Sequence, residues 1–343
     1  MKLAAWSEEW LKFLLCSTII TISGTQLSRY ADILAEKTGM GRTWMGLVVV
    51  AAITSLPETA TGVSAVLWVD APDITVGDLL GSCVFNLLTL ALVDLLYPPA
   101  PALSAVDRGH LLAAAFGVVM LGVAALGVMA ASPFQFLTFA HIGLSTPALL
   151  SCYLVAMRAV YRHQRRERAA YLAKVKEELL YHHITLKRAT GMFGVNALAV
   201  VAAGTWLPQV ASNLADLMGW QQSLMGTVFV AASTSLPELV VTCGALRLGA
   251  VDLAVGNLFG SNLFNLALLG VMDLLYLKAP LLQAAAPEHA GTALMAILMT
   301  GIAAAELAYR PQKKALRRLS LAAFFLAFLY AAYIYLQMVT LPR

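Results

Sequence analysis

A chain of 343 residues that is 60% hydrophobic and 12% charged, with a mean hydropathy of +0.76 and a net charge of +4, has too little polar surface for a water-soluble globule. It reads as a polytopic membrane protein. The expected fold is all-α, because an apolar run of about 20 residues crosses a roughly 30 Å hydrocarbon core as a helix with its backbone satisfied internally.

The N-terminal MKLAAWSEEW puts Glu8 and Glu9 where a secretory signal would carry its apolar core, and no small-residue cleavage site follows. The first span is therefore expected to be retained. Apolar runs recur near residues 11–35, 43–68, 76–97, 108–130 and 133–157, and again near 190–214, 222–247, 252–276, 288–309 and 318–341, about ten helices in all. The expected organisation is a first transmembrane repeat over residues 1–157, a basic linker over 158–189 and a second repeat over 190–343. Cys16, Cys83, Cys152 and Cys243 are scattered through apolar segments with no CxxC spacing, as packed thiols are. The six histidines are isolated apart from His182-His183 in the linker. That linker has the look of a solvated helical connection rather than a lipid-binding or nucleic-acid surface. With the N-terminus outside, 18 of the 23 Lys and Arg residues fall in the alternate loops that face the cytoplasm. Both termini are then expected outside a cytoplasmic membrane, with the 158–189 linker inside.

The sequence repeats itself. MGLVVVAAITSLPE (45–58) matches MGTVFVAASTSLPE (225–238) at 11 of 14 positions, and GDLLGSCVFNLLTLALVDLLY (77–97) matches GNLFGSNLFNLALLGVMDLLY (256–276) at 12 of 21. About five helices separate the copies, an odd number, so the second enters the membrane with opposite orientation. Inverted repeats with interrupted helices at corresponding positions mark the midplane sites of secondary transporters.

Pro57 has no N–H for the carbonyl of Ile53, and Pro237 has none for that of Ser233, so each helix is expected to kink or open one turn earlier. Beside each break stand two hydroxyls and a carboxylate: Thr54, Ser55 and Glu58 in one half, Thr234, Ser235 and Glu238 in the other. An acidic residue at a helix centre costs about 2.5–3.5 kcal/mol on the insertion scale, and no Lys or Arg lies at matching depth in the repeats. A cation is the natural counter-charge, and an all-oxygen donor set suits hard ions such as Ca²⁺, Na⁺ or Mg²⁺. A plain Ser/Thr-Pro kink would explain one such cluster; two inverted copies, each ending in Glu, argue against it.

In the following helix of each half, GSCVFN and GSNLFN place Ser82 with Asn86 and Ser261 with Asn265 four residues apart, on one helical face. They serve either as neutral oxygen ligands or as a Gly/Ser packing surface capped by an amide, and both roles can coexist. Asp78, one turn before Ser82, is either a third negative group of the site or an acid in a helix first turn, favoured by the dipole and wetted from the loop.

TSLPE followed after about twenty residues by GxxxGSxxFN, in both halves, resembles the two alpha repeats of the calcium/cation antiporter superfamily, especially its prokaryotic sodium/calcium exchangers. The resemblance implies an antiporter of ten helices whose second and seventh carry Glu ligands, whose third and eighth complete the site, and whose first and sixth slide to alternate access. Carried over, the acidic ligands fall on Glu58 and Glu238, the hydroxyl ligands on Thr54, Ser55, Thr234, Ser235, Ser82 and Ser261. Backbone oxygens fall on Ala51 and Ala231, and the carboxamide or carboxylate positions on Asn86 and Asn265. Some members have Asp where Asn265 stands. Cys83 and Asp78 replace the family's usual Asn, which Asn257 keeps in the second half.

The expected function is export of Ca²⁺ against entering Na⁺, with inorganic cations and membrane lipids as partners and no cofactor. Two glutamates balance one Ca²⁺, two Na⁺ or two protons, so proton coupling or transport of Mg²⁺ or Mn²⁺ is the alternative. A passive channel is disfavoured by the absence of a pore-loop signature. No HExxH or nucleophile motif suggests an enzyme.

Overall fold

A computed structural model describes residues 2–38, 53–129, 138–172 and 184–339. Among them the principal helices are α1 (Lys2–Thr38), α2 (Leu56–Ser64, continued as a π-helix over Ala65–Val69), α3 (Pro72–Leu96), α4 (Gly109–Met129) and α5 (Ser145–Leu172). The second half supplies α6 (Leu186–Met218), α7 (Ala231–Arg247, entered through a π-helix over Met225–Val230), α8 (Val251–Leu275), α9 (Glu288–Tyr309) and α10 (Leu321–Val339). Eight helices of the described residues are long and apolar enough to cross a membrane. Of the expected spans, parts of 43–68, 108–130, 133–157 and 318–341 lie outside the described residues, as does part of the 158–189 linker.

The expected span at 133–157 is only partly helical. Residues 138–143 form a two-residue antiparallel hairpin instead, and α5 begins at Ser145. The cause is tertiary. The buried Asp273 carboxylate accepts hydrogen bonds from Gly143 N at 3.0 Å and from the Thr146 hydroxyl, tying the hairpin and the start of α5 to the end of α8.

Pairs of equivalent contacts show that the halves are inverted. Asp252 Oδ1, in the first turn of α8, lies 3.0 Å from His110 Nε2 near the start of α4 and accepts from Asp107 N at 2.8 Å. Asp73 Oδ1, in the first turn of α3, lies 3.2 Å from His289 Nε2 near the start of α9 and accepts from Ala286 N at 2.6 Å. Since α4 starts on the side where α3 ends, and α8 starts beside α4, α3 and α8 run antiparallel. Lys278, just past α8, agrees by pairing with Asp70, just before α3, at 2.5 Å; its ammonium holds the Asp70 carboxyl below the usual carboxylate range.

Helices α3 and α8 form the centre, 72% buried over their apolar windows against 22% for α10. Around them, side chains of α4, α5, α9 and α10 build one apolar core. A second core lies between α1, α6 and the π-segment before α7, through Phe13, Ile20, Leu207, Leu214 and Met225. Helix α1 packs along α6, and this pair leans on α7 and α2 respectively. Both contacts pass through a glycine. A Cβ on Gly24 would fall 2.6 Å from Pro237 Cγ, and one on Gly204 would fall 2.9 Å from Ala60 Cβ and 3.3 Å from the Pro57 carbonyl oxygen.

Candidate ion-binding site

The two prolines act differently. In the first half the chain turns at Ser55, which precedes α2 with no side-chain cap, and Pro57 occupies its first turn, where a missing N–H costs nothing. In the second half Pro237 lies inside a continuous α7, so of the kink or opening expected there the helix does not open. The irregularity sits upstream, in the π-helix over Met225–Val230. The Thr234 hydroxyl oxygen lies 3.1 Å from the carbonyl of Val230 and 3.2 Å from that of Ala231. Ser233 donates to the carbonyl of Phe229 at 2.8 Å, and Ser17 of α1 donates to the Ser233 hydroxyl at 2.8 Å.

At the centre the halves exchange partners. Ser55 Oγ donates to Glu238 Oε1 at 3.5 Å, and Ser235 Oγ donates to Glu58 Oε1 at 3.4 Å. Thr54 hydrogen bonds the same Glu238 carboxylate. Each glutamate is thus held by a hydroxyl of the other half, and its second oxygen, Oε2, has no hydrogen-bond partner. Both side chains are completely buried. Among the described residues neither carboxylate forms an ion pair.

Asp78 joins them. It sits in the second turn of α3, fully buried, so the wetted first-turn alternative does not hold. Its Oδ1 accepts from Thr234 Oγ1 at 2.8 Å and its Oδ2 is unpartnered. Gly81 permits this packing, because a Cβ there would collide with the backbone of Thr227 and come within 2.8 Å of Ala231 Cβ. Its counterpart Asn257 instead donates to the Thr242 hydroxyl at 3.3 Å.

Ser82, Ser261, Asn86 and Asn265 are buried in α3 and α8. Ser82 faces Asp78, its neighbour one turn earlier. Asn86 hydrogen bonds Asn262 rather than a carboxylate, and Ser261 Oγ and both amide atoms of Asn265 are unpartnered. Ala231 is buried beside Thr234, while Ala51 lies outside the described residues. Asn262 was passed over in the sequence, although the contrast between GSN and GSC in the two motifs marked it. Among the described residues no three Asp, Glu, His or Cys side chains converge closely enough to hold a metal alone. Carboxylates dispersed among hydroxyls and amides suit a hard cation that is bound and released. Cys16 and Cys83 are buried and all four cysteines are free thiols.

The sodium/calcium exchanger protein family matches this chain twice, over residues 9–161 and 188–339. Among relatives, the chain is 26% identical over 304 residues to the sodium/calcium exchanger MaX1 of Methanosarcina acetivorans, spanning 77% of this chain and 82% of that protein. Among solved structures, the sodium-calcium exchanger NCX_Mj superposes with a TM-score of 0.62 at 20% identity, covering 96% of this chain and 99% of that one. The H⁺/Ca²⁺ exchanger CAX superposes with a TM-score of 0.68 at 14% identity, covering 96% and 87%. At these identities the two structures speak for the fold alone, an all-α membrane-spanning architecture.

Proposed function

The chain belongs to the sodium/calcium exchanger protein family, and from that premise we propose that it exports Ca²⁺ across the cytoplasmic membrane against entering Na⁺. The observation that carries this reading is the reciprocal Ser–Glu exchange at the pseudo-twofold centre, which leaves one oxygen of each buried glutamate without a partner. Both ions take oxygen ligands, and with Asp78 carrying a proton the two glutamates balance one Ca²⁺ or two Na⁺ but not both loads together. Binding of either ion therefore excludes the other.

Coupling follows from the cost of the empty site. Uncompensated carboxylates in a low-dielectric interior are expensive to seal from water, each by several kcal/mol. The loaded site closes and the empty one stays open to the side it last faced, so one ion must bind before the other can be carried. The moving part is the α1–α6 pair, whose glycine contacts run over Pro237 and Pro57. Gly24→Val and Gly204→Val are expected to lower the maximal transport rate about tenfold, since overpacking of about 1–3 kcal/mol in a sliding contact raises the barrier by a similar amount. Wild-type rates in both variants, measured at equal protein incorporation, would remove the contact from the mechanism.

The charge bias of the loops supports both termini outside and the 158–189 linker in the cytoplasm. A proton-coupled exchange, or carriage of Mg²⁺ or Mn²⁺, is the second reading. It is favoured by Asp78, a third buried carboxylate on the shared face that can carry a proton through the cycle. Purified protein in liposomes separates the two. Ca²⁺ uptake is expected to follow an outward Na⁺ gradient and to ignore a pH gradient imposed alone; uptake that follows the pH gradient and ignores Na⁺ sinks sodium coupling.

A further inference from the structure

The amides beside the carboxylates are unequal, and a chain of hydrogen bonds shows why. The backbone oxygen of Cys83 can only accept. It receives Asn262 Nδ2 at 3.3 Å, which turns Asn262 Oδ1 toward α3. That oxygen in turn can only accept, and it receives Asn86 Nδ2 at 3.0 Å. With its nitrogen so committed, Asn86 is left presenting Oδ1, buried and without a partner. A carboxamide oxygen is a ligand for a hard cation, whereas the NH₂ group repels one.

In the other half the repeat puts Cys83 where Asn262 stands and Asn265 where Asn86 stands. The Cys83 thiol reproduces the first link, donating to the backbone oxygen of Asn262 at 3.8 Å. It has no amide oxygen with which to hold Asn265. Correspondingly, both Asn265 Nδ2 and Oδ1 are unpartnered, although the residue is completely buried.

We propose that Asn262 is a positioning residue that fixes Asn86 as an oxygen ligand for the transported cation, and that Cys83 leaves Asn265 unguided, so the halves offer one pre-oriented amide and one that the ion itself must turn. The site is then asymmetric by construction, despite its two matched glutamates. Pre-orientation lowers the cost of binding, because the ligand does not have to be immobilised when the ion arrives. This inference rests on the reading that a cation is carried through the Glu58–Glu238 centre.

The test uses the full chain in liposomes with Ca²⁺, Mg²⁺ and Mn²⁺ as separate tracers, each under Na⁺ and proton gradients. KM and maximal rate are read for whichever ion the wild type carries. Cys83→Asn gives Asn265 its missing partner and is expected to lower KM about three- to tenfold, the effect of one ordinary hydrogen bond. Asn262→Cys frees Asn86 and is expected to raise KM by a similar factor with little change in maximal rate. The double variant exchanges the two roles and should return KM close to wild type. If the pair only packs, Cys83→Asn will leave KM unmoved and Asn262→Cys will lower thermal stability or maximal rate instead, which overturns the proposal. Should Asn262→Cys fail to fold, Cys83→Asn decides by itself. Wild-type flux with unmoved KM in the variants refutes this inference alone, whereas absence of flux of every tracer in the wild type refutes it together with the transport reading.

Discussion

Glu58→Gln and Glu238→Gln are each expected to reduce exchange several hundredfold or more, while leaving the ion-free protein at least as stable as the wild type. Glutamine keeps the shape of the side chain and can still accept from Ser235 or Ser55, so the cross-half contacts at 3.4 and 3.5 Å survive. What disappears is one full negative charge facing the ion. At about 4 Å and an effective dielectric near 20, that attraction is worth about 4 kcal/mol per unit charge, close to a thousandfold in affinity. In chelator the sign reverses, because the substitution removes a buried carboxylate whose Oε2 has no partner. Tracer flux and thermal unfolding of the same preparations read the two effects. Wild-type flux in both variants would dismiss the site, and a large loss of ion-free stability would mean that these carboxylates serve the fold.

Asp94→Ala and Asp273→Ala are expected to do the opposite, damaging the fold first. Asp94, at the end of α3, accepts from Ala102 N and Ser320 N, both at 2.7 Å, and lies 3.6 Å from the largely buried Lys314 ammonium. Asp273, its counterpart at the end of α8, accepts from Leu281 N at 2.5 Å, from Gly143 N and from the Thr146 hydroxyl. Each carboxylate thus pins two connections at once. Alanine would leave two or three buried donors unpartnered, at about 1–3 kcal/mol each, and at Asp94 would also remove the carboxylate facing the Lys314 ammonium, which keeps its backbone carbonyl acceptors. A loss on the order of 3–5 kcal/mol is expected, visible as a lower unfolding temperature and a poorer yield of folded protein. Asn, which keeps an acceptor oxygen, should recover part of it. Unchanged unfolding temperatures in both alanine variants would contradict the anchoring role.

Much of the site was readable without coordinates, because membrane insertion makes polarity conspicuous. A carboxylate beside a proline in an apolar run has few explanations, and its recurrence in an inverted copy leaves fewer. That pattern singles out Glu58, Glu238 and the hydroxyls beside them as candidates, and the structure buries each of them and brings Ser55 to Glu238 and Ser235 to Glu58. Asp78 was open between two roles. Its place on the helix fitted both, and only the contact with Thr234, 156 positions away, brings it to the centre. At Pro237 the lost N–H leaves α7 continuous, and the irregularity of that segment is the π-helix over Met225–Val230, which no pattern in the sequence marks.

The sequence by itself determined the class of protein, the inverted repeat and the acidic pair, since hydropathy, repetition and the cost of charge in hydrocarbon act along the chain and need no partner to be specified. Tertiary structure alone decided the Asn262–Asn86 relay, the Asp73–His289 and Asp252–His110 links, and the anchoring of the 138–143 hairpin by Asp273. These depend on which side chains meet when helices distant in sequence cross antiparallel. A shift of one residue in that register turns each of these groups by about 100° around its helix, away from its partner, and no local pattern in the chain records the register.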